Sequence, residues 1–209
     1  HGRLRVAPFR IAAYPITHAQ FEAFVRAPDG FENDRWWKDL KRQDPVTGRL
    51  RRHGNFPATH VSWHDATAFC RWLSARLGID VRLPDEWEWQ WAAQSAQPKF
   101  IYPWGIEWED GVANTDEAGI GRTTAVGLYP GGRSAQGAYD LAGNVWEWCR
   151  NQYDDPAKIE PNSEGSRVLR GGSGLRGQDS ARADRRRLNR PYYRLDNYGF
   201  RVLCGAPIR

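Results

Sequence analysis

Apolar residues recur at helical spacing at two points in the first half of the chain. Phe21, Phe24 and Val25 share a face behind Thr17, which caps the segment and, with Gln20, completes a capping box. A longer stripe of Ala66, Phe69, Cys70, Leu73 and Leu77 follows Ser62 as the cap and Asp65 in the first turn, and Gly78 supplies the C-terminal stop. Residues 82–93 (RLPDEWEWQWAA) carry helix-start chemistry. Pro84 pre-sets the first-turn dihedral, Asp85 and Glu86 suit the positive end of a helix dipole, and Trp87 and Trp91, four apart, face one side. Residues 9–14 read as a short strand, and 28–56 as a long polar loop held to the core by Trp36 and Trp37. From Tyr102 onward, short aromatic or apolar pieces alternate with Gly, Asn and Asp clusters. That pattern suits short twisted antiparallel strands joined by long loops. Two helices beside a small irregular sheet make an α+β fold, with one domain across residues 1–209.

Composition supports a packed core. The chain has 11 Trp, 8 Tyr and 8 Phe, and its 40% hydrophobic against 26% charged residues argue against disorder. No apolar run approaches the ~20 residues needed to cross a bilayer, so no membrane insertion is expected. The chain opens on His1, which reads as a boundary within a longer sequence, so the lack of an export signal excludes little. A cytoplasmic setting is the expectation. Cys70, Cys149 and Cys204 are an odd number at wide spacing, neither a disulfide framework nor a zinc pattern, and they read as buried free thiols. The formal charge of +5 is uneven, with Arg182, Arg185, Arg186, Arg187, Arg190 and Arg194 crowded together.

Six motifs stand in fixed order: PATHVSW (57–63), RLPDEWEWQWAA (82–93), YPWG (102–105), YDLAGNVWEW (139–148), RGGS (170–173) and GFR (199–201). Together they resemble the sulfatase-modifying, or formylglycine-generating-enzyme, family over about 9–204. The resemblance implies a C-type-lectin-like fold with little regular secondary structure. It also implies a copper-binding cysteine pair just beyond RGGS, but the matching positions here hold Arg176 and Ala181. Neither can be a thiolate nucleophile or a soft metal ligand, so no copper and no formylglycine-generating activity are expected. The family's calcium loop would place Asp140 and Glu147 as side-chain ligands and Gly143 and Val145 as carbonyl ligands, an oxygen set suited to a hard cation. The alternative is that Glu147 pairs with an Arg and Asn144 shapes a turn. A second family calcium site would use Asn114 and Thr115, but the loop after them is short.

Residues 170–201 also resemble the variable region of diversity-generating-retroelement variable proteins. The frame would comprise 170–173, Gln178, Asp179, 181–183, Arg186, Pro191, Arg194 and 199–201. Interleaved with it stand Leu175, Arg176, Gly177, Ser180, Arg185, Arg187, Tyr192, Tyr193, Leu195, Asp196 and Tyr198. Each of those residue types is reachable from an Asn codon by changing adenines alone. Leu188 and Gly174 depart from the pattern, standing where a frame Arg and a Trp are expected. Tyr and Arg suit a binding face, offering stiff contact area and a planar donor fork.

The expected function is therefore a non-catalytic ligand-binding protein whose diversified face meets a protein target. One alternative is an enzyme or enzyme accessory domain of the same family that works without the cysteine pair. A second is nucleic-acid binding through the Arg/Tyr-rich segment, ranked lower because Asp179, Asp184 and Asp196 interrupt the charge. A solvated basic surface is the bland reading of the same segment. His60 and His64 stand four apart, but Ser62 caps the helix between them, so they are not read as a metal pair. Glu160-Pro161-Asn162 is read as a chance match to a sugar-binding tripeptide.

Overall fold

The computed structural model describes residues 7–45, 54–162 and 165–205. Helix α1 (His18–Arg26) starts at Thr17 with the expected capping box, and α2 (Trp63–Leu77) starts at Ser62 with its own. Gly78 closes α2 at φ 66°, a left-handed conformation in which a side chain would be strained. A third helix, α3 (Glu86–Ala93), corrects the expected count of two. Its N-cap is Asp85, so Pro84 stands just outside the helix and not in its first turn. Glu88 accepts from the Asp85 N–H at 2.8 Å and forks with Arg82 through two 2.7 Å bonds. Trp87 and Trp91 do share a side, but it is the exposed one, and Trp89 carries the buried face.

The strands are short. The segment expected as a strand at 9–14 is paired only at β1 (Arg10–Ile11). Strand β2 (Val81–Arg82) and strand β7 (Leu203–Cys204) join β1 in a three-stranded sheet of order β1-β7-β2. Both ends of the described chain thus meet in one sheet, Ile11 opposite Leu203. Strands β3 (Trp146–Gln152), β4 (Arg167–Arg170), β5 (Arg187–Asn189) and β6 (Tyr198–Gly199) form a second sheet of order β5-β4-β3-β6. β6 runs parallel to β3, a departure from the all-antiparallel expectation.

Aromatic rings fill the core between α1, α2 and the sheets. Phe69 packs against Phe21, Phe24, Trp72 and Phe200 at centroid distances of 5.4–5.9 Å. Each such ring contributes roughly 1.5–3 kcal/mol by burial. Buried indoles also find backbone partners across the fold. Trp63 donates to the Cys149 carbonyl at 2.9 Å and Trp148 to the Val61 carbonyl at 3.0 Å, stitching α2 to β3. Trp36 and Trp37 anchor their polar loop as expected, donating to the Asp29 and Phe31 carbonyls at 2.6 Å. Part of that loop, 46–53, lies outside the described residues. In the stripe of α2, Ala66, Phe69 and Cys70 are buried, whereas Leu77 at its end is exposed. No helix among the described residues is long and apolar enough to cross a membrane.

Candidate binding face

Hydrogen bonds tie the backbone of the C-terminal third to the rest of the fold. The carbonyl of Leu195 accepts from the His60 N–H at 2.9 Å and that of Pro191 from the Trp63 N–H at 3.0 Å. These bonds pin the 190–197 loop to the start of α2. The Arg176 carbonyl accepts from Asp116 N–H at 3.0 Å, and Gln178 N–H donates to Glu117 at 2.8 Å, which fixes the 175–178 turn. Ala183 N–H donates to the Ile101 carbonyl at 2.7 Å.

Frame positions supply much of this anchoring. Arg170, Ser173, Ala181, Ala183, Gly199, Phe200 and Arg201 are buried. Arg170 donates to the carbonyls of Asp184 and Arg185 at 3.0 Å each. Arg186 forks onto the buried Glu86 at 2.6 and 3.0 Å, and Arg194 onto Asp65 at 2.7 and 2.6 Å. Side chains with two charge-assisted bonds are geometrically committed.

The interleaved residues divide differently. Leu175, Arg176, Arg185, Tyr192, Tyr193, Leu195 and Asp196 are exposed. The rings of Tyr192 and Tyr193 lie 5.0 Å apart, and Leu175 and Asp196 line one shallow depression with Thr59 and Arg122. Gly177, Ser180 and Arg187 are half-buried. Tyr198 is a correction, because it is wholly buried. Its backbone pairs with Trp146, its ring meets Trp148 edge-on at 5.4 Å, and its hydroxyl accepts from Arg187 and Asn189 at 3.0 Å each. It belongs to the core. Leu188, which departs from the frame pattern, is exposed on the edge strand β5.

The arginine cluster is less available than its sequence suggests. Arg186 and Arg194 are held by carboxylates, Arg182 pairs with Asp184 at 3.0 Å, and Arg187 lies over the Trp146 ring at 5.5 Å. Arg185 and Arg190 remain as exposed members with no acid partner among the described residues. A track of phosphate contacts needs more free cations than these.

At the two positions matching the family's thiols, Arg176 is exposed and Ala181 is buried against Ala113 and Ala142. Cys70 and Cys149 are fully buried, and burial raises both thiols well above their ordinary range; Cys204 is raised less, also by burial. Protonated thiols of this kind are poor nucleophiles and poor metal ligands.

In the 140–147 loop, Asp140 and Asn144 adopt left-handed conformations at φ 55° and 64°. Gly143 has φ 82°, and a Cβ there would lie 2.2 Å from the Asn114 carbonyl oxygen. Glu147 has both carboxylate oxygens engaged, one by Arg201 and the other by Arg201 and Trp89, at 2.6–2.7 Å. Asp140 accepts from Gly127 N–H at 2.7 Å, and burial raises its pKa. With Arg201 and Trp89 already on its two oxygens, Glu147 is not free to serve a calcium ion as the resemblance implies. At the second expected pair, both side chains are buried, and Asn114 Oδ1 has no hydrogen-bond partner among the described residues. No group of three acid, His or Cys side chains converges anywhere among the described residues.

The sulfatase-modifying factor enzyme 1-like domain matches residues 1–206. The chain is 30% identical to the inactive C-alpha-formylglycine-generating enzyme 2 of Bos taurus, over 96% of this chain and 78% of that protein. It is 31% identical to the formylglycine-generating enzyme of Streptomyces coelicolor, over 98% and 81%. Among solved structures, Treponema denticola variable protein 1 superposes with a TM-score of 0.74 at 23% identity, covering 94% of this chain and 84% of that one. CarF gives a TM-score of 0.74 at 21% identity, covering 99% and 89%. The fold is therefore the C-type-lectin-like fold of the formylglycine-generating-enzyme type, and the chain belongs to the sulfatase-modifying factor enzyme 1-like family.

Proposed function

We propose that this domain is a non-catalytic binding protein of the diversity-generating-retroelement variable kind, whose C-terminal face meets a protein target. One observation carries the reading. Positions assigned to a fixed frame are largely buried or tied by ion pairs, whereas most of the interleaved positions point outward from a pinned backbone. Side chains on such a loop face can change without unfolding the scaffold. The exposed set, with Tyr192, Tyr193, Leu175 and Leu195 beside Arg176 and Arg185, mixes apolar grip with donor forks, as protein-binding faces do.

A second reading is an enzyme or accessory domain of the family, favoured by 31% identity to a formylglycine-generating enzyme. Against it stand Arg176 and Ala181 at the thiol positions. Binding of nucleic acid ranks below both, because most of the clustered arginines are engaged within the fold. The deciding experiment is to sequence the DNA around the coding region. A nearby copy of codons 170–201 that differs only where the copy carries adenine is the expected result. A neighbourhood with neither such a copy nor a reverse transcriptase overturns the diversified reading.

A further inference from the structure

One stripe of α2 is built of small side chains, Thr67, Cys70, Ser74 and Ala75, and it ends at Gly78. They fill little space, and a cavity of about 770 Å³ lies between this stripe, β2 and the 159–161 segment. Val81 and Leu83 are its buried apolar floor, and the half-buried Ile79, Ile159 and Pro161 leave apolar surface uncovered along its sides. Small-molecule sites have this size and makeup, mostly apolar with a few placed polar groups. None of the interleaved residues of the C-terminal face lines the cavity, so its occupant is independent of that face.

Almost every polar side chain on the wall is already engaged. Thr67 donates to the Trp63 carbonyl at 2.8 Å, and Ser74 donates to the Val81 carbonyl at 2.9 Å and accepts from its N–H at 2.7 Å. Arg71 donates to the carbonyls of Trp36 and Lys38 at 2.9 and 2.7 Å. Arg82 forks onto Glu88 and stands 3.9 Å from Asp80, the one acid on the wall. Arg150 is the exception. Its backbone is fixed on β3, where its N–H donates to the Pro84 carbonyl at 2.9 Å. Its half-buried side chain has neither a hydrogen bond nor an ion pair among the described residues. The Asp85 carboxyl feels its charge without pairing to it, and Arg167 adds a further cation nearby. A guanidinium drawn partly out of water without an acceptor is costly, and its planar fork matches a carboxylate. We propose that this cavity binds a monocarboxylic acid with an apolar body, the carboxylate on Arg150 and the body against Ile79, Ile159 and Pro161.

The test is a titration of the whole domain with sodium octanoate, followed through the methyl signals of Ile79, Val81 and Ile159, with octanol and octylamine as parallel probes. The expected result is a saturable shift with octanoate, binding of octanol weaker by about tenfold, and none of octylamine. Arg150→Gln should lower octanoate to the level of octanol while the melting temperature holds, because that side chain ties nothing else in the fold. Ala75→Phe, a change at an exposed helix position on the cavity wall, should block octanoate and octanol alike. A silent octanoate titration, equal affinity for octanol, or undiminished octanoate binding by Arg150→Gln overturns the proposal. Shifts that persist unchanged in Ala75→Phe overturn it too, since the acid would then be bound elsewhere.

Discussion

Arg201 grips Glu147 through two hydrogen bonds of 2.6 Å, and both side chains are wholly buried. The same guanidinium donates to the carbonyls of Ala12 at 3.0 Å and Tyr139 at 2.7 Å. One side chain thus ties β3, the segment after β1 and the 139–147 loop to the chain's C-terminal segment. Replacing Glu147 with Ala should cost about 3–5 kcal/mol, because it strands a buried cation. Urea unfolding monitored by tryptophan fluorescence measures this, and a loss below about 1 kcal/mol would show that the pair is not structural.

Tyr192 and Tyr193 should separate from Tyr198 by stability alone. The double change Tyr192→Ala and Tyr193→Ala removes exposed rings and should shift stability by no more than about 0.5 kcal/mol per site while eliminating target binding. Tyr198→Ala removes a core ring together with the acceptor for Arg187 and Asn189, and should cost about 3–5 kcal/mol. Thermal melts of the two variants decide this. A large fall for the Tyr192/Tyr193 pair would place those rings in the core instead.

Much of this division was legible in the sequence because its causes are local. Thr17 with Gln20 forms the capping box expected from the sequence, and Ser62 caps α2 as expected, with first-turn Asp65 closing a second box. Long-range geometry was not legible in the same way. The spacing of Trp87 and Trp91 defined a face but not which way it points, since Trp89 on the opposite side is as apolar as they are. Tyr198 was grouped with the outward residues because its type fits the set. Its inward direction follows from a two-residue parallel pairing with β3, a contact 52 positions away in the chain that leaves no local mark. The engagement of Glu147 by an arginine was one of two open readings, and only the tertiary structure identifies Arg201 as the partner. Leu188 interrupted a frame inferred from residue types, and its exposure follows from its place on the edge strand β5.

Removal of divalent cations should leave the 140–147 loop intact. Protein groups already hold Glu147 and Asp140, so chelation withdraws no ligand from them. The melting temperature in EDTA is expected to match that in millimolar calcium. A clear rise with calcium, lost on Asp140→Ala, would assign the loop to a cation after all.

His64 should give the domain an acid-sensitive step. Its folded pKa lies near 4, against 6.5 for the free side chain, mainly because burial penalises the charged ring. Between those values the unfolded chain binds a proton that the native state refuses, so stability is complete above about pH 6.5 and falls as pH drops toward 4. The loss assignable to this group is on the order of 3 kcal/mol across that window. Burial also raises the carboxyl groups of Asp85 and Asp140, so the wild-type profile alone does not isolate the histidine. The difference between wild type and His64→Gln does, because the variant keeps every carboxylate and lacks only the titrating ring. Urea unfolding from pH 7 to 4 should therefore give a shallower decline for His64→Gln, with the two curves diverging most between pH 6.5 and 4. Parallel curves would mean that the ring takes up its proton as readily in the folded chain as in the unfolded one.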